Sequence, residues 1–284
     1  MRKYKNITKK SIIFIGIMVA IHLAPLRVEL VHAEGYTLGV VPYLPPGRLE
    51  ERFGPYAAVI ARALDRQVTF RTKTTYEIFK NEIVNQTYDI VFLQPFDYPE
   101  ATDKHEYLPL ARANEPLTAL IVTRKVSALK TLSDLKHKTL ATPPMASAVG
   151  RLGLDAMRKI GLSANSDFKL RLSTTHSACM QAVLIDKADA CITNNVPLRV
   201  HRSTKRDLFK ILAETESIPH ALFMAHKRIP LRERELIRSA LLKLNNSPAG
   251  KNLLIHSGWK NGFVKARDAD YAAIRYMPPI PTKP

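Results

Sequence analysis

The sequence is poor in cysteine, since its 284 residues contain only Cys179 and Cys191. Neither belongs to a CxxC pair or to a cluster of cysteine and histidine at metal-ligand spacing, so no metal site is predicted. Two interpretations of the pair stay open. The cysteines form a disulfide in an oxidising compartment, or they are two small buried thiols, because spacing alone does not establish disulfide geometry.

The motifs of common catalytic sites are also missing. The chain has no G-x-S-x-G nucleophile elbow, no H-E-x-x-H zinc motif and no P-loop. The serine and the histidine of most interest, Ser147 and His176, have no evident acidic residue to orient them. The sequence therefore predicts a protein that is not an enzyme and that needs no cofactor.

Acidic residues are too few to balance the basic ones. The chain has 25 aspartates and glutamates against 43 lysines and arginines, which gives a net charge of +18. Such an excess is typical of proteins that meet nucleic acid, an anionic membrane surface or an anionic small ligand. The basic residues are scattered rather than clustered with aromatic ones, and no nucleic-acid-binding motif is recognisable. We therefore predict no nucleic-acid partner and a solvated basic surface.

Only one long apolar run occurs, between Ser11 and Ala24, and it is too short for a comfortable membrane span. A basic segment precedes it, and Val31 and Ala33 supply the small residues that signal processing needs. Residues 1–33 are therefore predicted to be a secretory signal that directs the protein to the periplasm. The alternative is an uncleaved anchor in the inner membrane. No cysteine lies near the cleavage point, which argues against a lipoprotein.

Strand and helix patterns alternate over the first part of the mature chain. Residues 36–43 and 68–72 are predicted strands separated by a loop at 42–47 and a helix, and the unbroken apolar run 90–93 predicts a strand covered on both faces. Two predicted helices carry apolar residues at helical spacing: Tyr56, Val59, Ile60, Ala63 and Leu64, then Tyr76, Phe79 and Ile83. This βαβαβ order predicts a parallel sheet that binds ligands beyond the carboxyl ends of its strands.

The same order repeats after an extended stretch at 119–123. The predicted elements are a short helix at 132–135, strands at 139–142, 168–172 and 188–193, and helices that begin near Ser147 and His176. An amphipathic tail helix with Leu236, Ile237, Ala240, Leu241 and Leu244 is expected to return to the first lobe. The predicted organisation is lobe 1 over 34–120 and 221–284, with a loose proline-rich end, and lobe 2 over 121–220.

In this order the chain resembles the phosphate/phosphite/phosphonate-binding proteins of ABC importers, a branch of the type II periplasmic binding fold. The shared motifs run in the same order along most of the mature chain: Tyr76 at a helix start, Tyr88-Asp89-Ile90-Val91, Leu132-Ser133-Asp134-Leu135-Lys136, Pro144 to Gly150, His176, Lys187-Ala188-Asp189-Ala190, Thr193-Asn194-Asn195, Ile218-Pro219 and Asp270-Tyr271. The resemblance implies an α/β fold of two lobes, each a mostly parallel sheet flanked by helices. It further implies a monomer that closes on a small ligand about a hinge near 119–123 and 218–222 and meets an ABC permease.

Three departures from the family pattern bear on the ligand. Ser147-Ala148-Val149-Gly150 stands where the family commonly has Ser-Thr-Ser-Gly, so two of three hydroxyl donors are missing. An aromatic residue expected before the hinge is replaced near Pro116-Leu117, and an acid expected after the asparagine pair is missing at Val196-Pro197. An oxyanion removed from water needs most of its oxygens met by donors. The resemblance therefore implies a small anion of the phosphonate, phosphite or phosphate type without fixing which.

The candidate ligand-binding residues are Tyr43, Tyr76, Gln94, Ser147, Ala148, His176, Asn194 and Asn195. Ser147 begins a helix, where free N–H groups favour an anion, although serine is also an ordinary N-cap. His176 begins another helix and is expected either to donate a hydrogen bond as an imidazolium or only to cap that helix. For Tyr76 a core position is favoured over a ligand contact, because it shares a helical face with Phe79 and Ile83. The asparagines either bind the ligand or brace a loop.

Two other functions stay open beside that of an import receptor. The same fold serves a sensor that presents its ligand state to a membrane histidine kinase, or a periplasmic enzyme built on the same scaffold. Neighbouring genes for an ATPase and a permease would favour import, whereas a neighbouring kinase would favour sensing. Turnover of a substrate, rather than stoichiometric binding, would be the sign of an enzyme.

Overall fold

A computed structural model of the protein describes residues 35–144, 147–195, 198 and 207–277. The predicted signal segment, the Val196-Pro197 position and nearly all of the proline-rich end lie outside the described residues. The described residues belong to one compact unit, Glu34–Pro284, which holds every element given below. In the described part of the chain, no helix is long and apolar enough to cross a membrane.

The strands, numbered along the chain, form two sheets. They are β1 (Tyr36–Val40), β2 (Val68–Arg71), β3 (Ile90–Leu93), β4 (Tyr107–Ala113), β5 (Leu120–Arg124), β6 (Thr139–Thr142), β7 (Lys169–Leu172), β8 (Ala190–Thr193), β9 (Phe209–Glu214), β10 (Leu222–His226) and β11 (Phe263–Lys265). The first sheet has six strands in the order β11-β4-β10-β3-β1-β2, and the second has five in the order β7-β6-β8-β5-β9.

Both sheets are mixed, which corrects the prediction of mostly parallel sheets. In the first sheet β1 is parallel to β2 and β3, but β10 is antiparallel to β3 and β4, and β11 is antiparallel to β4. In the second sheet β6 is parallel to β7 and β8, whereas β5 is antiparallel to β8 and β9. Each sheet thus keeps a parallel βαβαβ core and gains antiparallel strands where the chain passes between the sheets.

Seven described helices cover the sheets: α1 (Pro46–Leu64), α2 (Tyr76–Val84), α3 (Tyr98–His105), α4 (Ala148–Lys159), α5 (His176–Leu184), α6 (Leu231–Lys243) and α7 (Pro248–His256). Short 3-10 helices lie at Pro95–Asp97, Leu132–Leu135, Leu244–Asn246 and Asp268–Tyr276. Neighbouring residues of β8 point to opposite faces of the second sheet. Ile192 joins a core with Leu152 of α4, whereas Cys191 joins a core with Cys179 of α5.

Helix α1 begins at Pro46, so the predicted loop at 42–47 is shorter than expected. Proline is well placed in a first helical turn, because the N–H group that it lacks would have no intrahelical acceptor there. The buried stripe of α1 also starts earlier than predicted and consists of Leu49, Phe53, Tyr56, Ala57 and Ile60. The predicted face extended too far toward the C terminus, since Val59, Ala63 and Leu64 keep part of their surface exposed.

Helix α6 contacts α1 and β4, so the chain does return to the first sheet at its C-terminal end. Ile237 and Leu241 are fully buried there, as their helical spacing predicts. Leu236, which was predicted to share that face, is 40% exposed. The buried stripe of α6 is therefore narrower than the apolar sequence pattern.

Two chain segments, residues 114–119 and 215–221, connect the sheets. Leu117 and Ile218 pair there as an antiparallel bridge, with the Leu117 N–H donating to Ile218 O at 2.8 Å and the Ile218 N–H donating to Leu117 O at 3.0 Å. The backbone N–H of Ala119 donates to Thr215 Oγ1 at 3.0 Å. The predicted hinge range 218–222 therefore lies almost entirely within the second connecting segment, whereas the range 119–123 begins where the first segment ends and mostly belongs to strand β5.

Candidate ligand-binding site

The candidate residues follow the carboxyl ends of strands from both sheets. Tyr43 follows β1, Gln94 follows β3, and Tyr76 begins the helix after β2. In the second sheet Ser147 follows β6, His176 begins the helix after β7, and Asn194 and Asn195 follow β8. This is the edge at which a parallel core binds ligands, because the helix N termini and the strand ends converge there.

The N terminus of α4 is the point where the two sheets meet most directly. Ser147 is the N-cap residue, but its side chain makes no capping hydrogen bond. The N–H of Ala148 instead donates at 2.8 Å to Oε1 of Gln94, which the first sheet supplies. Helices α2 and α5 differ, because Thr75 and Thr175 cap their first turns through side-chain oxygens. The side-chain carbonyl oxygen of Gln94, from across the cleft, thus caps the first turn of α4, as Thr75 and Thr175 cap the first turns of α2 and α5.

Thr142 places a further hydroxyl group beside this helix start. It is the last residue of β6 and is fully buried, and its Oγ1 has no hydrogen-bond partner among the described residues. A Cβ atom at Gly150, in the first turn of α4, would lie 2.8 Å from this oxygen. The glycine therefore lets the helix start approach the strand end closely, with an unused donor between them.

Tyr76 and Asp97 form a pair on the first-sheet side of the cleft. The Tyr76 hydroxyl donates to Oδ1 of Asp97, so the tyrosine is neither a plain core residue nor a free donor. Burial raises the pKa of Asp97 to about 6, against the hydrogen bond from Tyr76 and the charge of Lys80, which both lower it. Burial and the charge of Asp97 in turn raise the pKa of Tyr76. The hydroxyl therefore stays protonated and engaged at neutral pH.

Arg151 reaches across the cleft from α4. Its guanidinium carbon lies 4.1 Å from the centre of the Phe96 ring, and its Nη2 donates at 2.8 Å to the backbone oxygen of Met277. Burial lowers the pKa of Arg151, whereas the nearby charge of Asp97 raises it. Arg151 was not among the predicted site residues, because one basic residue in an amphipathic helix looks like a solvated surface residue.

His176 is placed at the start of α5, but its charge differs from the prediction. Its Nδ1 lies 3.2 Å from Oγ1 of Thr193, the last residue of β8. Burial lowers the pKa of His176 to about 4, because a charged imidazolium loses its hydration there. In this arrangement the imidazole is therefore neutral at neutral pH, and a hydrogen bond from His176 to a ligand stays a prediction. A neutral ring still offers one N–H donor.

The two cysteines are joined as a disulfide in this structure. Cys179 of α5 and Cys191 of β8 are both fully buried, and their Cα atoms lie 5.7 Å apart. The bond links the helix that begins with His176 to the strand that ends with Thr193. Of the two interpretations of the sequence, the structure supports the disulfide over free thiols.

The remaining candidates are Tyr43, Asn194 and Asn195. Tyr43 is 38% exposed, and its ring lies edge-on to Phe53 of α1 with centroids 6.4 Å apart. Asn195 is exposed, while Asn194 is partly buried and its backbone carbonyl oxygen accepts a long hydrogen bond of 3.5 Å from the N–H of Leu198. The structure therefore brings Gln94, Ser147 and Ala148 together, but it does not bring Tyr43 against them.

One further polar residue, His220, lies in the second connecting segment. Its Nδ1 accepts a hydrogen bond of 2.7 Å from the N–H of Ala221, and its ring lies edge-on to Trp259. Burial lowers its pKa to about 4, so it is neutral with its proton on Nε2. A histidine directly after the Ile218-Pro219 motif was the available sequence signal. Among the described residues, no group of histidine, cysteine and carboxylate side chains is arranged to hold a metal.

Comparisons with known proteins bear on this geometry. The family described as "ABC transporter, phosphonate, periplasmic substrate-binding protein" matches residues 38–271. No curated protein sequence matches the chain. Many solved structures share the fold, among them a Xanthomonas citri protein bound to ATP, with a TM-score of 0.72 and 16% identity over 85% of this chain and 98% of its own.

Two further structures come from phosphonate-binding proteins. PhnD1 from Prochlorococcus marinus, in complex with methylphosphonate, has a TM-score of 0.72 and 18% identity over 85% of this chain and 96% of its own. The binding component of an ABC phosphonate transporter from Pseudomonas aeruginosa has a TM-score of 0.69 and 17% identity over 84% of both chains. Such low identities establish the fold alone, and they confirm the predicted two-sheet α/β architecture of type II periplasmic binding proteins. The family match spans most of the sequence and confirms the resemblance, so the chain belongs to the phosphonate-type periplasmic substrate-binding proteins of ABC transporters.

Proposed function

We propose that the protein captures a small oxyanion of the phosphonate, phosphite or phosphate type at the N terminus of α4 and presents it to an ABC permease. The observation that carries this proposal is the contact between Ala148 and Gln94. The first N–H groups of a helix have no intrahelical acceptors and lie at the positive end of its dipole. In this arrangement Gln94 Oε1 accepts from one of them at 2.8 Å. An anionic oxygen is a stronger acceptor for the same N–H groups.

Hydroxyl groups around the helix start support the same proposal. The Ser147 side chain is not used as a cap, and Thr142 Oγ1 is buried without a partner among the described residues. Together they offset the hydroxyls that Ala148 and Val149 lack relative to the family pattern. The neutral ring of His176 adds one N–H donor without adding a positive charge. The proposed site therefore recognises an anion mainly by hydrogen bonds and the helix dipole.

The relatives suggest which ligands to offer first. Methylphosphonate is bound by the Prochlorococcus protein and ATP by the Xanthomonas protein, and both ligands carry phosphorus oxyanions. Calorimetry with methylphosphonate, phosphite, phosphate, ATP, sulfate and small organic acids is the direct test. A phosphorus oxyanion is expected to bind more tightly than the organic acids.

Variants then assign the binding to the α4 helix start. Ser147→Ala is expected to weaken binding of the best ligand by about tenfold, the loss of one hydrogen bond to a charged group. Ser163→Ala, an exposed serine after α4, is the matched control and should leave affinity unchanged. The proposal fails if none of the phosphorus oxyanions binds at millimolar concentration, or if the organic acids bind more tightly than the phosphorus oxyanions do.

A further inference from the structure

The side chain of Arg151, on α4, extends from the second sheet and contacts segments of the first. Its guanidinium lies over the Phe96 ring at 4.1 Å, which is within the range of a cation–π contact. It also donates a hydrogen bond of 2.8 Å to the carbonyl oxygen of Met277. Both partners belong to segments that lie against the first sheet. We refer to the arrangement in which these contacts exist as the closed arrangement.

The two partners of Arg151 are held firmly by the first sheet. Phe96 belongs to the 3-10 helix Pro95–Asp97, which directly follows β3. Met277 follows the 3-10 helix Asp268–Tyr276, whose Tyr271 ring stacks on Tyr98 of α3 with centroids 4.5 Å apart. The same helix is tied to β4 by the ion pair between Asp270 and Arg112, at 3.2 Å. A contact with Phe96 and Met277 is therefore a contact with the first sheet as a whole.

The charge of Arg151 determines when its burial is favourable. Burial lowers the pKa of Arg151 and raises that of Asp97, and each charge offsets part of the other's cost. Leaving a buried charge without its partner costs more than the intact contact gains. Separation of the sheets would return the Arg151 guanidinium to water, whereas in the closed arrangement its charge acts on Asp97 and Tyr76. The arginine is thus suited to a contact that is made and broken, rather than to permanent burial.

We propose that Arg151 is a positioning residue for ligand capture: it fastens the second sheet to the first in the closed arrangement without touching the ligand. The effect on affinity rests on the proposed oxyanion-binding function, but the effect on closure does not. For a ligand that binds only the closed form, the apparent Kd is inversely proportional to the fraction of molecules that are closed. Loss of Arg151 should therefore lower affinity through the population of closed molecules, while the donors at the α4 helix start stay in place.

The test measures closure directly, with and without a ligand. Nitroxide labels on cysteines placed at the exposed positions Lys104 and Lys136, one on each side of the cleft, report the distance distribution by double electron–electron resonance. Arg151→Ala is expected to shift the distribution toward larger separations, and Arg151→Lys to restore only part of the shift, since lysine lacks the planar group that covers Phe96. Arg158→Ala is the matched control, because Arg158 is exposed on the same helix and pairs only with Asp155 in the contacts described for it.

Methylphosphonate is the probe in the second arm, measured by calorimetry. Arg151→Ala should weaken its binding by about tenfold, and Arg158→Ala should not. Identical distance distributions for wild type, Arg151→Ala and Arg158→Ala, in folded proteins with matching circular dichroism, overturn the proposal. If methylphosphonate binds none of the proteins but the distances shift as expected, the proposed ligand class is wrong and the closure role of Arg151 stands.

Discussion

Replacing Gln94 by glutamate tests whether the start of α4 is an anion site. Gln94 Oε1 already accepts the Ala148 N–H at 2.8 Å, so Gln94→Glu changes the charge of the acceptor with little change of shape. A carboxylate at a helix N terminus typically contributes about 0.3–1 kcal/mol, and up to about 2 kcal/mol when partly buried. The nearby carboxyl of Asp97 opposes part of this gain. We expect a net stabilisation of about 1 kcal/mol for the ligand-free protein.

The same change should harm ligand binding. The carboxylate introduced by Gln94→Glu would accept the Ala148 N–H hydrogen bond that the ligand needs, and its charge would repel an incoming anion. The affinity for methylphosphonate should therefore fall by at least about tenfold. Stabilisation with loss of binding is an unusual combination. General damage to the fold would lower both the stability and the affinity. A carboxylate that takes the place of the ligand instead raises the stability and lowers the affinity.

Differential scanning calorimetry and isothermal titration calorimetry measure the two effects. For a domain of this size, about 1 kcal/mol corresponds to an increase in Tm of about 2–4 °C. Gln94→Ala should lower Tm, and Gln181→Glu, which adds the same charge at an exposed position of α5, should change neither Tm nor affinity. If Gln94→Glu binds the anion as tightly as the wild type, the anion does not bind at α4 and the reasoning is wrong.

Three further predictions concern the groups around the cleft. Replacing both Cys179 and Cys191 by alanine should lower the free energy of unfolding by about 3 kcal/mol in urea, and a count of two free thiols in the exported protein would contradict the disulfide. Burial lowers the pKa of His176 to about 4. Between about pH 6.5 and pH 4, His176 is therefore protonated in the unfolded chain but neutral in the native protein. Stability should therefore fall as pH drops from about 6.5 to 4, by at most about 3 kcal/mol from this group, and an unchanged slope in His176→Gln would contradict this. Tyr76→Phe should raise the pKa of Asp97 further above 6, as seen by carboxyl-carbon NMR, and should lower the free energy of unfolding by about 1–3 kcal/mol; an unchanged pKa would remove the proposed hydrogen bond.

Several elements were predictable because their signals are local. The apolar run Ile90–Leu93 and the strand Thr139–Thr142 have the predicted bounds, since each is a short segment that is followed by a proline within two residues. Helices α2 and α5 begin at the predicted residues because Thr75 and Thr175 cap them. The direction of β10 and β4 was not predictable in this way, because it depends on pairing between residues far apart in the chain.

The site was predictable only in its positions, not in its contacts. Ser147 and His176 lie at the helix starts where sequence patterns put them. The bond between Gln94 and Ala148 joins residues 54 positions apart and belongs to the approach of two sheets. The neutral state of His176 and the crossing of Arg151 have the same origin, since burial is a property of the assembled fold and not of the neighbouring sequence.

The bridge between Leu117 and Ile218 makes the two connecting segments act as one. Because each residue donates a backbone hydrogen bond to the other, neither segment bends without carrying its partner along. Twisting or sliding of the second sheet would break both bonds, whereas rotation about an axis through the bridge keeps them. Rotation about that axis is therefore the opening motion that leaves the connection intact. A membrane partner that touches both sheets would meet them in a different relative orientation before and after that rotation.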